Sequence, residues 1–105
     1  MYVAVVHSVK DPQAMLARGE GLGDPSNAPQ GAIPHQFCPS KDLSAATCVW
    51  EADSLDTVRD YIDGTLGDSS EQSYFEINEE YAQGLPVPAS AKSRFKRHPA
   101  RDTRP

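Results

Sequence analysis

The sequence predicts an α+β domain in which one four-stranded antiparallel sheet is backed by two helices. Three observations carry that prediction. An alternating run over Ala45–Ala52 passes directly into a helical run over Ser54–Leu66, an apolar β-branched run at Tyr2–Val9 stops at Lys10-Asp11-Pro12, and a second alternating run covers Ser73–Asn78. In chain order the elements are strand, helix, strand, strand, helix, strand. This is the split β-α-β motif used twice, the ferredoxin-like plait.

Each element has its own local reason. Tyr2–Val9 is apolar on both faces, as a central strand needs to be. Asp11 is placed to cap a short helix with Pro12 at its first position, and Gln13–Arg18 continue it until the glycines at 19, 21 and 23. Residues 19–31, with Asp24-Pro25 and Ala28-Pro29, have no periodicity and read as a loop. These glycines are no phosphate loop, because no Lys-Ser/Thr follows and no strand leads in. Residues 33–38 form a weaker strand, with Pro34 pointing to a sheet edge. They are expected to pair antiparallel with 45–52.

Within 45–52, Ala46, Cys48, Trp50 and Ala52 share one face, while Thr47, Val49 and Glu51 share the other. The period then changes, and Leu55, Val58, Ile62 and Leu66 recur at helical spacing opposite Asp56, Arg59, Asp60 and Asp63. Asp53 or Ser54 caps that helix, and Gly67 closes it. After a polar connection at 68–71, Ser73–Asn78 is the last strand, Glu79–Gln83 a turn closed by Gly84, and 85–88 an extended end.

The 105 residues bound the molecule as one domain, residues 1–88, followed by a basic tail, residues 89–105, expected to be mobile unless something docks it. A hydrophobic fraction of 38 % with nine prolines leaves a thin core, so a homodimer joined through the sheet face is the expected source of further burial. The net charge of −5 is divided: residues 92–105 carry six basic side chains against Asp102, and residues 1–91 carry 4 basic against 14 acidic ones. An acidic body of this kind argues against nucleic acid as a partner of the domain. No run is long enough to span a membrane, and the N-terminus lacks a signal-peptide pattern, which together predict a cytoplasmic protein with Cys38 and Cys48 as free thiols.

The run Thr47-Cys48-Val49-Trp50-Glu51-Ala52-Asp53-Ser54-Leu55-Asp56-Thr57-Val58-Arg59 resembles the third-strand-to-second-helix signature of the dimeric α+β barrel superfamily. It is most similar to the small nickel-binding ferredoxin-like proteins. His7, near the end of the first strand, sits where that group often has histidine. The resemblance implies a dimer that closes a barrel through its bare sheet faces. In that group, histidines near the end of the second helix help to bind the metal; here the positions read Ile62-Asp63-Gly64-Thr65-Leu66 and hold none. The wider superfamily includes cofactor-free oxygenases, isomerases and cyclases.

If the apolar side of 45–52 faces the helices, Thr47, Val49 and Glu51 face the barrel interior. With Phe75 and Ile77 taken into the core, Tyr74 and Glu76 are expected on that same interior face, and His7 falls between them and Glu51. An imidazole beside a carboxylate in an apolar cavity suits general acid–base chemistry. His7 would be the base, Glu51 its partner and Tyr74 the oxyanion donor, with His35 and Glu76 binding the ligand. The structural alternative is a single satisfied His7–Glu51 contact at the dimer interface. No cofactor is expected. A transition metal at His35 and Cys38 is the remaining option, and it requires a bulge, because at regular alternation the two point to opposite faces.

Three functions follow. The first is a small-molecule or metal-binding dimer of unknown ligand. The alternative is a cofactor-independent isomerase, cyclase or monooxygenase acting on a small apolar carbonyl or phenolic compound. A structural interaction protein that uses the tail as its contact element is a third.

Overall fold

The computed structural model describes residues 1–88, and the basic tail expected over 89–105 lies outside the described residues. The elements are β1 (Tyr2–Val9), α1 (Pro12–Arg18), β2 (Ala32–Pro39), β3 (Ala45–Ala52), α2 (Leu55–Leu66) and β4 (Ser70–Glu76), with single 3-10 turns at Pro25–Asn27 and Gly67–Ser69. The sheet order is β2-β3-β1-β4, every neighbouring pair antiparallel. This is the ferredoxin-like α+β plait that the element order predicts.

Both helices form where their caps and apolar spacing dictate. The Asp11 carboxylate accepts from the Ala14 amide at 3.1 Å and opens α1. The Ser54 hydroxyl accepts from the Thr57 amide at 3.2 Å and opens α2. Val58, Ile62 and Leu66 bury one stripe of α2 completely. Gly67 ends the helix at φ +57, a left-handed conformation that strains any residue with a Cβ. From α1, Arg18 Nη1 donates to the last carbonyl of α2, Leu66 O, at 3.0 Å and pairs with Asp68 at 2.9 Å. One guanidinium thereby satisfies an orphan carbonyl and docks the two helices against each other.

The register fixes which side chains face the helices. Val3 pairs with Trp50, Val5 with Cys48 and His7 with Ala46, so all six share the helix side, and Val3, Val5, Cys48 and Trp50 join Met15, Val58, Ile62 and Leu66 in the core. Tyr2, Ala4, Val6 and Ser8 take the other face with Glu51, Val49, Thr47 and Ala45.

The inward and outward faces of β4 are the reverse of those expected from its apolar residues. Val5 pairs with Tyr74 and Val3 with Glu76, which puts Tyr74 and Glu76 on the helix side, while Phe75 pairs with Ala4 on the open side and is 54 % exposed. The strand also begins at Ser70 rather than Ser73, because Ser70, Glu71 and Gln72 complete the ladder with Val9, Ser8 and His7. Backbone pairing to β1 decides that boundary, not side-chain propensity.

β2 shifts register between Pro34 and Gln36, leaving His35 on a bulge. Beyond β4 the chain turns at Asn78 and returns over the open face, where the Tyr2 hydroxyl donates to Pro86 O at 2.6 Å and becomes buried.

Candidate functional site

A cleft with a volume of about 430 Å³ lies on the helix side, between the α1–Leu22 segment and the β2–β3 edge. Its walls are apolar: Met15, Leu16 and Leu22 on one side, Phe37 and Trp50 on the other, with Ile62 and Leu66 behind. Its polar floor is the pair His7 and Cys48. Phe37 stands half-exposed over the pair, its ring edge-on to His7 at 6.2 Å.

His7 is 1 % exposed, and both of its ring nitrogens are engaged. Nε2 lies 3.0 Å from Cys48 Sγ and Nδ1 lies 3.2 Å from Gln72 Oε1. The hydrogen-bonded chain runs on to the surface: Gln72 Nε2 donates to Asp63 Oδ1 at 2.8 Å, and the Tyr74 hydroxyl donates to the same oxygen at 2.6 Å. The Ser70 hydroxyl also donates to Gln72 Oε1.

The electrostatics of the site are those of a neutral interior. Burial pulls the His7 pKa below its ordinary 6.5, opposed by the Gln72 hydrogen bond and the Asp63 charge. Burial pushes the Cys48 thiol from 9.0 up to about 11, opposed by a hydrogen bond from the Trp50 side chain. Burial and the bond to Asp63 hold the Tyr74 phenol well above its usual range. At neutral pH the floor is therefore an uncharged imidazole beside an uncharged thiol. The Cys48 thiol is no nucleophile in this state.

The five residues expected to share one cavity are divided by the sheet. His7, Tyr74 and Glu76 lie on the helix side, and His7 is linked to Tyr74 through Gln72, which hydrogen-bonds the phenol and shares Asp63 with it. Glu51 lies on the open side, and His35 turns its ring there, with Nε2 3.0 Å from Glu51 Oε1 and the ring stacked obliquely on Tyr2 at 5.9 Å, although the residue also borders the helix-side cleft. The physical reason is parity: β1 and β3 pair so that His7 shares the face of Cys48 and Trp50, the face opposite Glu51. Gln72, Asp63, Met15, Leu22 and Phe37 join the site although the sequence does not single them out. The first two complete the polar chain and the others the walls; no signal in the sequence points to them, because the face that His7 takes is set by the β1–β3 register.

The residues do not fit the transition metal that the resemblance implies. Among the described residues no three His, Cys, Asp or Glu side chains come together as a metal site. The bulge at His35 directs that imidazole to Glu51, and Cys38 lies exposed. Among the described residues no helix is long and apolar enough to cross a membrane. The sequence matches no protein-family model and no curated protein.

Proposed function

We propose that the protein is a small-molecule-binding module whose ligand sits in the helix-side cleft. One observation carries the reading: a cleft of about 430 Å³, apolar on its walls, with an uncharged hydrogen-bonding pair at its floor. That combination of apolar enclosure with few convergent polar groups is the usual make-up of a ligand pocket. Binding is favoured over catalysis because the three groups expected to do acid–base work do not share a cavity within one chain. Glu51 is across the sheet, and the Tyr74 hydroxyl is committed to Asp63.

The test is uptake of the neutral apolar fluorophore N-phenyl-1-naphthylamine, which brightens on leaving water. A Cβ built at Gly23, on the cleft mouth, meets no atom within 4 Å. Gly23→Trp is therefore expected to obstruct the mouth, weaken dye binding by about tenfold or more, and leave the fold intact by circular dichroism. Equal dye binding by both proteins, or none by the wild type, removes the reading.

We further propose that the protein is a homodimer whose open sheet faces cover one another. Val6 is 43 % exposed and Phe75 54 % exposed there, beside Ala4, Val49, Thr47 and Ser73. The carboxylates on this face are engaged, Glu51 by His35 and Glu71 by Lys10 at 2.8 Å. Exposed apolar side chains at the centre with hydrogen-bonded polar groups at the rim make this face self-complementary, which suits a second copy as its occupant. Light scattering is expected to give twice 11.4 kDa for the wild type and the single mass for Val6→Glu/Phe75→Glu. A wild type that runs at the single mass overturns the dimer and leaves the cleft untouched.

A further inference from the structure

The cleft floor has a fixed pattern of donors and acceptors, and the pattern can be traced inward from the surface. Asp63 as a carboxylate only accepts, so the Gln72 NH2 group must face it and Gln72 Oε1 must face His7. An oxygen at 3.2 Å from Nδ1 requires the proton on Nδ1, and the Ser70 hydroxyl fills the second lone pair of that oxygen. Nε2 is then a bare acceptor. Opposite it at 3.0 Å is Cys48 Sγ, whose S–H is the donor that closes the pair. Each role follows from the one before, so the floor holds one acceptor and one donor, paired with each other at the end of an apolar cleft and open to a ligand that parts them.

We propose that the cleft selects a neutral molecule bearing a single hydroxyl, an alcohol or a phenol, whose oxygen inserts between His7 Nε2 and Cys48 Sγ. The inference rests on the binding reading above and names its ligand class. A hydroxyl donates O–H to Nε2 and accepts S–H from Cys48, so it replaces one weak S–H···N bond with two bonds and leaves nothing unpaired. A carboxylate has no donor, sets lone pair against lone pair at Nε2 and carries a charge into an apolar site. A ketone satisfies the thiol but leaves Nε2 unmet. An ammonium gives the thiol nothing to donate to. Glu20 at the mouth adds a negative charge that disfavours anions further. The apolar remainder of the ligand lies between Met15 and Leu22 on one side and Phe37 and Trp50 on the other.

The test displaces N-phenyl-1-naphthylamine with benzyl alcohol, toluene and benzoate, three probes of nearly one shape. Wild type is expected to bind benzyl alcohol about tenfold or more tighter than either other probe. The double variant Gln72→Glu/Asp63→Asn is nearly isosteric, keeps the net charge and moves the carboxylate onto His7 Nδ1–H. His7 then becomes an imidazolium whose Nε2–H donates, and the preference is expected to turn toward benzoate. A wild type that takes benzoate or toluene as well as benzyl alcohol overturns the hydroxyl selectivity while the dye still reports a working cleft. Failure of the dye itself to bind overturns the binding reading and the selectivity with it. Should the double variant not fold, the ring 15N shifts of His7 in the wild type still decide. The proton is expected on Nδ1, and a proton on Nε2 overturns the proposal.

Discussion

Truncation of Trp50 to alanine is expected to destabilise the domain by about 3–5 kcal/mol, the range for emptying a large buried aromatic site. Trp50 is 2 % exposed, stands opposite Val3 in the register, and meets Tyr61 of α2 edge-on at 5.9 Å. It therefore joins sheet and helix at one point. Twelve hydrophobic residues make up the buried core among the described residues, so little surrounding mass can relax into the hole. Against a total stability of about 5–15 kcal/mol for a domain, that loss is a large share. Urea unfolding followed by circular dichroism is expected to show the midpoint falling by roughly 1–5 M, given slopes of about 1–3 kcal/mol per molar. A fall of under about 0.5 M would show that the indole is not the anchor of the core.

The second large effect is a loss of stability in alkali that depends on Cys48. Its thiol pKa is 9.0 when unperturbed and about 11 in the fold, so the folded state keeps a proton that the unfolded state gives up between those values. Stability is then fully present below pH 9 and falls as pH rises towards 11, by roughly 2–3 kcal/mol in all. Tyr74 and Tyr2, whose phenols are also raised, add losses of the same sign at higher pH. The contribution of Cys48 is isolated by comparing wild type with Cys48→Ala. The variant is less stable at pH 8, because it leaves a small cavity and an unpaired His7 Nε2, and the gap between the two proteins is expected to close as pH approaches 11. A gap that stays constant from pH 8 to 11 would place the thiol in contact with water. His7 acts in the other direction. Its lowered pKa means that stability is present above the unfolded value of 6.5 and declines as pH falls below it.

Elements whose cause is local could be read directly from the residues. Ser54, the Leu55-Val58-Ile62-Leu66 spacing and Gly67 lie within fourteen positions of one another and fix α2 at both ends. Asp11-Pro12 does the same for the start of α1, and the alternation of 45–52 gives β3 and its inward Cys48 and Trp50. The order of these elements then leaves few sheet topologies, and the plait is the one formed.

Which face each remaining strand turns inward is set by long-range packing, not by local pattern. Apolarity does not decide it in β1, since Val3 and Val5 on one face are matched by Ala4 and Val6 on the other; pairing with β3 does. In β4 the hydrogen bonds of Gln72 and Tyr74 to Asp63 accompany an inward polar face and an outward Phe75, against the apolar pattern. Those bonds join a strand to a helix across the Gly67–Ser69 turn, so they depend on how the two elements pack and not on the periodicity of either one. His7 and Cys48 lie 41 positions apart, and their meeting at the cleft floor depends on two strands being paired in one register. A shift of one residue would have carried His7 across to Glu51, because side chains alternate with period two. Local residue patterns set the elements and their order, and the strand register set the site.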